Sequence, residues 1–435
     1  MKKTSIILTV ICLSGLTIWV TSAPPSYYEP TGPRFMEKIP EELTKADIGD
    51  VISSDVISLV REIPGHDEIL PLKGSDKILV SARDEWIWLV DLKTEKAEKL
   101  AKSPVSPTGA HIVPGKDDQV YFCMARLDYN SYEKGPGLYS LDLGTKKFSE
   151  VVTRVPLTGI MREDGLEIPN SVGNDRVIVY PEPFKETKVT DLTGDGSRQL
   201  QFCNDLAVSK DGRHVYITEP FSNPKASSGL GAFAEGITLA RNGRVWRYDT
   251  ISKSIGLVVE NIIFADGILI EYDKQGTEVS LLISETVNFR IGRAHLSGPT
   301  SGSYDVLWDN LPGLPDGLDR DSSGRIWVAL IKDRTGLMTW MHANPWIKPA
   351  ILRIPAKWLP KSKGTGFFAL SPDASKVIAF SHHNGSKVLD ISVVVPGGNK
   401  LFLPSFYKDN TGIHYLPIDS VISKSNVANT GAGSK

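Results

Sequence analysis

Asn204-Asp205-Leu206-Ala207-Val208-Ser209-Lys210-Asp211-Gly212, running on to Val215-Tyr216-Ile217-Thr218-Glu219, is a short apolar strand, an Asp/Gly turn and a second strand. The unit returns twice. Ala265-Asp266-Gly267 leads through Asp273-Lys274-Gln275-Gly276 to Leu281-Leu282-Ile283-Ser284-Glu285, and Pro315-Asp316-Gly317 leads through Asp321-Ser322-Ser323-Gly324 to Ile326-Trp327-Val328-Ala329. Short runs of β-branched and aromatic residues punctuated by Asp and Gly are strands and turns. The copies start at 204, 266 and 316, steps of 62 and 50 residues. A period of about 40 to 50 residues, lengthened by loop insertions, belongs to four-stranded propeller blades. Fainter copies begin near Glu68, Thr108 and Gly366. The expected architecture is an all-β, six-bladed β-propeller. The strand-like Arg176-Val177-Ile178-Val179-Tyr180 leaves a seventh blade, or a large insertion, open.

In a propeller the first strand of every blade lines the central channel, so polar residues at equivalent blade positions converge. Asn204, Asp266 and Asp316 hold such positions, and Glu68, with Asp67 beside it, is the candidate from the first blade. Oxygen donors gathered in this way suit a hard cation such as calcium, and carboxylates so gathered repel one another without one. The alternative is that Asp-Gly and Asn-Asp here are ordinary turn residues. Glu219 and Glu285 end second strands and are candidates for the channel mouth, or for hydrogen bonds at its rim. His382 and His383 sit beside Asn384-Gly385, a hairpin turn pair, and His382 is a candidate catalytic group at the same mouth.

The rest of the chain frames this domain. With 435 residues, 41% hydrophobic and 23% charged content and a net charge of -2, it reads as a globular protein without the basic footprint of a nucleic-acid binder. Met1-Lys2-Lys3, the apolar run Thr4 to Val20 and Ser22-Ala23 make residues 1–23 a signal peptide or a membrane anchor, with membrane association through residues 4–20 in the second case. Either way the remainder is expected outside the cytosol, secreted or membrane-anchored. Residues 24–60 read as an extended lead-in with one short helix near Glu41 to Lys45, 61–418 as the propeller, and 419–435 as a disordered tail. Cys123 and Cys203 either pair or stay free, and their place in strand-like runs favours free thiols. Asn384-Gly385-Ser386 is an acceptor for N-glycosylation.

The stretch 202–330 resembles the strictosidine synthase-like and adipocyte plasma membrane-associated protein group, within the wider SMP-30/gluconolactonase and paraoxonase propellers. The resemblance rests on Asn204-Asp205-Leu206, Glu219-Pro220-Phe221-Ser222, Gly243-Arg244-Val245-Trp246-Arg247-Tyr248-Asp249, Phe264-Ala265-Asp266-Gly267 and Asn310-Leu311-Pro312-Gly313-Leu314-Pro315-Asp316-Gly317. It implies a catalytic calcium held at Asn204, Asp266, Asp316 and a first-blade glutamate, with Asp266 standing where the family commonly has Asn. Asp316 is then both ligand and general base or nucleophile. The paraoxonase histidine position falls on Thr108, with His111 displaced from it. The implied activity is calcium-dependent hydrolysis of a small-molecule lactone, aryl ester or phosphotriester. A condensing enzyme like strictosidine synthase, or a non-enzymatic binding propeller with structural calcium, stands as the alternative.

Overall fold

The apolar runs become the strands of six antiparallel sheets in the computed structural model, which describes residues 2–21, 31–127, 133–163, 165–169, 175–223, 228–355 and 358–431. Blade 1 comprises His66–Pro71, Lys77–Ala82, Trp86–Asp91 and Lys96–Lys102; blade 2 comprises Ser106–Ile112, Gln119–Ala125, Gly137–Asp142 and Lys147–Val152. Blade 3 has Leu206–Val208, His214–Glu219, Gly243–Asp249 and Ser254–Ile262; blade 4 has Ala265–Tyr272, Glu278–Glu285, Arg290–His295 and Tyr304–Trp308. Blade 5 has Gly313–Arg320, Ile326–Asp333, Thr365–Leu370 and Val377–His383. Blade 6 takes Val395–Gly397, Lys400–Phe402 and Ile413–Pro417 from the end of the chain, and its outermost strand, Ile57–Leu59, from near the start. The first strands of successive blades pack side by side into a closed ring.

Each interface between blades holds its own apolar core. Leu79 and Ile87 of blade 1 meet Val120 and Phe122 of blade 2; Cys123 and Leu138 meet Val215 and Trp246 of blade 3; Tyr216 and Val245 meet Ile268 and Leu281 of blade 4. The circuit continues with Leu282 and Ile291 against Leu318 and Ile326, Trp327 and Phe367 against Leu401 and Leu416, and Val395 and Phe402 against Ile69 and Val80. At roughly 1.5–3 kcal/mol for each large apolar side chain removed from water, these six seams are what hold the ring shut.

Of the two possibilities left open for 165–192, its described residues make no seventh blade: Ile178–Lys188 pairs with Ser254–Ile262 as a fifth strand on the outer edge of blade 3. Four expectations need correction. The copy read near Gly366 does not start a blade: Thr365–Leu370 is the third strand of blade 5, and the first strand of blade 6 is Val395–Gly397. The propeller starts before residue 61, because Ile57–Leu59 pairs with Ile413–Pro417 and closes the ring, while the helix Glu41–Lys45 falls where it was expected. The supposed disordered tail begins as a helix, Ile418–Gly431. Val421 and Ser425 are buried on blades 5 and 6, and Lys424 Nζ lies 2.7 Å from Asp55 Oδ2; the helical spacing of Ile418, Val421, Ile422 and Ser425 is the cause. Cys123 and Cys203 form a disulfide with Cα atoms 4.9 Å apart rather than two thiols. The first sits in the second strand of blade 2 and the second just ahead of the first strand of blade 3, two runs that the ring presses together.

The N-terminal run forms a helix, Lys2–Thr21, and among the described residues no helix is long and apolar enough to cross a membrane.

Candidate metal centre in the channel

The Asp-Gly pairs that suggested turns lie inside strands. At the start of the first strand of blades 1, 2, 4 and 5, one extra residue interrupts the pairing. It falls between His66 and Glu68, Pro107 and Ala110, Ala265 and Ile268, and Pro315 and Leu318. Such a bulge bends the strand and re-aims a side chain. The residues in these bulges are Asp67, Thr108, Asp266 and Asp316, and Asn204 holds the corresponding place ahead of Leu206–Val208 in blade 3. The glycines follow from crowding at the axis. A Cβ on Gly267 would stand 2.3 Å from the Asp316 carbonyl oxygen, and one on Gly317 2.6 Å from Val393 Cβ.

Hydrogen bonds run round this ring from blade to blade. Ser81 Oγ donates to Thr108 O (3.3 Å), Thr108 Oγ1 to Cys203 O (2.9 Å), and the Asn204 amide to Asp266. Ser284 Oγ donates to Asp316 O (2.6 Å), Gly317 N to Ser392 O (2.7 Å), and Ser392 Oγ to Asp67 O (2.7 Å). Asp266 also accepts from Thr286 Oγ1 at 2.9 Å and shares a hydrogen bond with Asp316. Asp266 and Asp316 are 6% and 9% exposed. Burial, followed by the charges of Asp266 and Asp67, holds the Asp316 carboxyl well above the usual range. Burial and the Asp266 charge push Asp67 up to about 7. Burial raises Asp266 as well, against the hydrogen bonds it receives.

Asn204, Asp266 and Asp316 are thus brought together as the sequence implied, and Glu68 is not. Its carboxylate accepts from Ile69 N at 3.0 Å, and the charges that bear on it are those of Asp205, Asp319 and Asp67. Asp67, the residue inside the bulge, is the first-blade acid whose charge couples to Asp266 and Asp316. Glu68, Asp205 and Asp319 form a second acidic layer along the axis. They line a cavity of about 1110 Å³, with Asp266 and Asp316 outside its lining. Burial drives Asp319 up to about 7 and Glu68 and Asp205 well above the carboxylate range.

Among the described residues no group of three or more His, Cys, Asp or Glu is placed to hold a metal ion. The convergent donors of the upper layer are instead two hydrogen-bonded carboxylates, an amide and, beside them, Asp67. That mixed oxygen set matches the chemistry of a hard cation, whose ligands are drawn from carboxylates, amides and water.

The other candidates lie away from it. Glu219 is fully buried, gripped by Arg198 at 2.7 and 2.8 Å and by Trp246 Nε1 at 3.0 Å. Glu285 is held by Arg290 at 2.6 and 2.9 Å and by the Tyr304 hydroxyl at 2.8 Å. Both brace blades rather than face a ligand. His382 and His383 end the fourth, outermost strand of blade 5 instead of a hairpin between its second and third. His382 Nε2 meets Asp333 at 2.8 Å, and His383 is buried on Asp50 at 3.0 Å. Asn384 is exposed, as a glycan acceptor must be. His111 Nδ1 is 2.7 Å from Ile112 O and lines the lower cavity. Thr108 holds the blade 2 start that the sequence indicated, whereas Thr286 and Ser392 were not anticipated.

The site face is roofed by Phe202, Phe221, Leu239, Phe264 and Val287, with the helix Ser228–Thr238 lying against Val287. Residues 224–227 of the variable insertion lie outside the described residues.

Comparison with known proteins places these residues in a family context. Residues 172–338, which include Asn204, Asp266 and Asp316, match the SMP-30/Gluconolactonase/LRE-like region. The chain is similar to the adipocyte plasma membrane-associated protein of Salmo salar, 39% identical over 163 residues, 37% of this chain and 38% of that protein. It is also similar to strictosidine synthase-like 13 of Arabidopsis thaliana, 31% identical over 175 residues, 40% of this chain and 41% of that one. The match spans less than half the length of either relative. A gluconolactonase structure from Xanthomonas campestris aligns over 91% of this chain and 98% of its own at 12% identity, with a TM-score of 0.49.

Proposed function

We propose that the upper layer of the channel binds one calcium ion through Asp67, Asn204, Asp266 and Asp316, and that the protein is a calcium-dependent hydrolase of a lactone, aryl ester or phosphotriester. One observation carries the reading. The strand-start residues Asp266 and Asp316, both lifted on bulges, share a hydrogen bond, the Asn204 amide bonds Asp266, and burial and mutual charge drive these carboxyls and the neighbouring Asp67 up. A divalent cation relieves that repulsion and restores the ionised forms. Bound there, it would polarise the scissile carbonyl or phosphoryl oxygen. Asp266 and Asp316 share a hydrogen bond. With the ion bound, Asp316 would be ionised and would accept a proton from the attacking water. Thr286 fixes Asp266 in orientation throughout.

The low exposure of Asp266 and Asp316 under the roof favours one competing reading, a binding propeller with structural calcium. Hydrolysis of lactones and aryl esters by the purified chain, with calcium and after chelation, separates the two. Loss of turnover with the fold retained supports the hydrolase, and absence of turnover despite tight calcium binding supports the binding propeller.

The same reading sets the protein outside the cytosol and at a membrane. A disulfide persists in oxidising compartments, and the basic start followed by the apolar helix Lys2–Thr21 has the pattern of a leader. The animal relatives are called plasma membrane-associated.

A further inference from the structure

Between the second and third strands of blade 5 the chain makes a long excursion, from Arg334 to Gly364, that the propeller does not need. It contains the helix Gly336–Ala343, the turn Pro345–Ile347 and the short helix Lys348–Ile351. Gly313 pairs with Asp333, so the excursion leaves from the end of the blade that carries Asp316, the site face.

Its side chains are inverted relative to a solvated loop. Trp340, Trp346 and Trp358 are 47%, 60% and 71% exposed, and they are all the strongly exposed tryptophans among the described residues. Trp340 and Trp346 meet edge to face at 6.3 Å, and Leu337 beside them is half exposed. The helix keeps its polar His342 buried, and Lys348 is fully buried with Nζ 3.4 Å from Thr238 O. Phe35, 68% exposed, adjoins the same patch because Arg34 N donates to His342 O at 2.9 Å.

The charge is as one-sided as the apolar surface. From Arg334 to Pro372 there is no Asp or Glu, whereas Arg334, Lys348, Arg353, Lys357, Lys361 and Lys363 are basic; Lys361 and Lys363 are exposed. Exposed tryptophans with flanking cations and no acids match the interface of an anionic bilayer, where indole rings sit at headgroup depth and Lys and Arg meet the phosphates. The N-terminal helix Lys2–Thr21 packs alongside Lys348–Ile351, so the apolar run and the tryptophan patch lie together.

We infer that the blade 5 excursion is a lipid-docking element that seats the site face of the propeller on an anionic membrane surface, through Trp340, Trp346 and Trp358 with Lys361 and Lys363. The contact is additional to any made by the N-terminal helix and independent of the hydrolase reading.

The test is amide hydrogen exchange on the full chain, with vesicles of phosphatidylcholine alone and with phosphatidylserine added. Exchange over residues 336–363 slows severalfold on the anionic vesicles, while Ser297–Ser303 on the opposite face is unchanged. Bromine-labelled lipids quench the tryptophan emission of the wild type, and the variant Trp340→Ser/Trp346→Ser/Trp358→Ser loses most of that quenching at an unchanged melting temperature. Vesicle-bound protein whose 336–363 amides exchange as in solution overturns the proposal, and so does protection that appears only on adding a partner protein.

Discussion

Asp67, Asp266 and Asp316 are carboxyls that the ring forces towards the neutral form, and this has a definite consequence for pH. A carboxyl held higher in the folded than in the unfolded chain contributes stability below its unfolded pKa, near 4, and loses it as pH rises through the folded value. For Asp67 and Asp319 that value is about 7. The metal-free protein should therefore lose melting temperature between about pH 4 and pH 7. Added calcium should remove the share of the decline that Asp67 carries and leave that of Asp319, so that a melting series with the ion falls less steeply than one without it. The roles of the two central aspartates separate in the same way. Asp316→Asn should cut turnover by a factor of about 10² or more, the scale of one general base, while some calcium-induced stabilisation survives. Asp266→Asn keeps an oxygen ligand and should leave turnover intact; equal losses would refute the division. Asn204, Asp266 and Asp316 were legible because they recur at blade starts. Asp67 was not, because neighbouring acids differ only through a bulge, a backbone event that leaves no mark on the residue types. His382 misled because the Asn-Gly pair reads as a hairpin, whereas here it leads out of blade 5 into blade 6.

The elements that matter most at the next scale are the ones sequence periodicity caught least well. Three-residue strands carry too few positions to show a period, so Ile57–Leu59 passed as lead-in although it closes the ring. A chain beginning after Leu59 should melt well below one that begins before Ile57, since it leaves Ile413–Pro417 without its outer partner. The long strands of blades 3 to 5 were readable because both faces are buried and their apolar runs are nearly continuous. The disulfide joins residues 80 apart and pins blade 2 to blade 3. Replacing Cys123 and Cys203 together with alanine should cost about 2–5 kcal/mol in denaturant unfolding. A cost near zero would mean that the apolar seam alone holds that interface.

For the whole molecule, six seams and a continuous circle of axial hydrogen bonds make the ring a single cooperative unit. Five of the six blade starts were readable from the copies, but the copy near Gly366 is the third strand of blade 5, and the short strands of blade 6 carry too little period to mark its start. The roof over the site face was not readable, since Phe202, Phe221, Leu239, Phe264 and Val287 come from five separated stretches of chain. An ion that binds only the closed ring stabilises it by mass action, about 2.7 kcal/mol at a hundredfold excess over its dissociation constant. The most direct measurement is a calcium titration of the metal-depleted chain, following melting temperature and lactone or aryl-ester hydrolysis in parallel. One transition rising with calcium, and hydrolysis returning over the same concentration range, is the predicted result. Full hydrolysis without calcium, or a melting temperature indifferent to it, would contradict a calcium site built from Asp67, Asn204, Asp266 and Asp316.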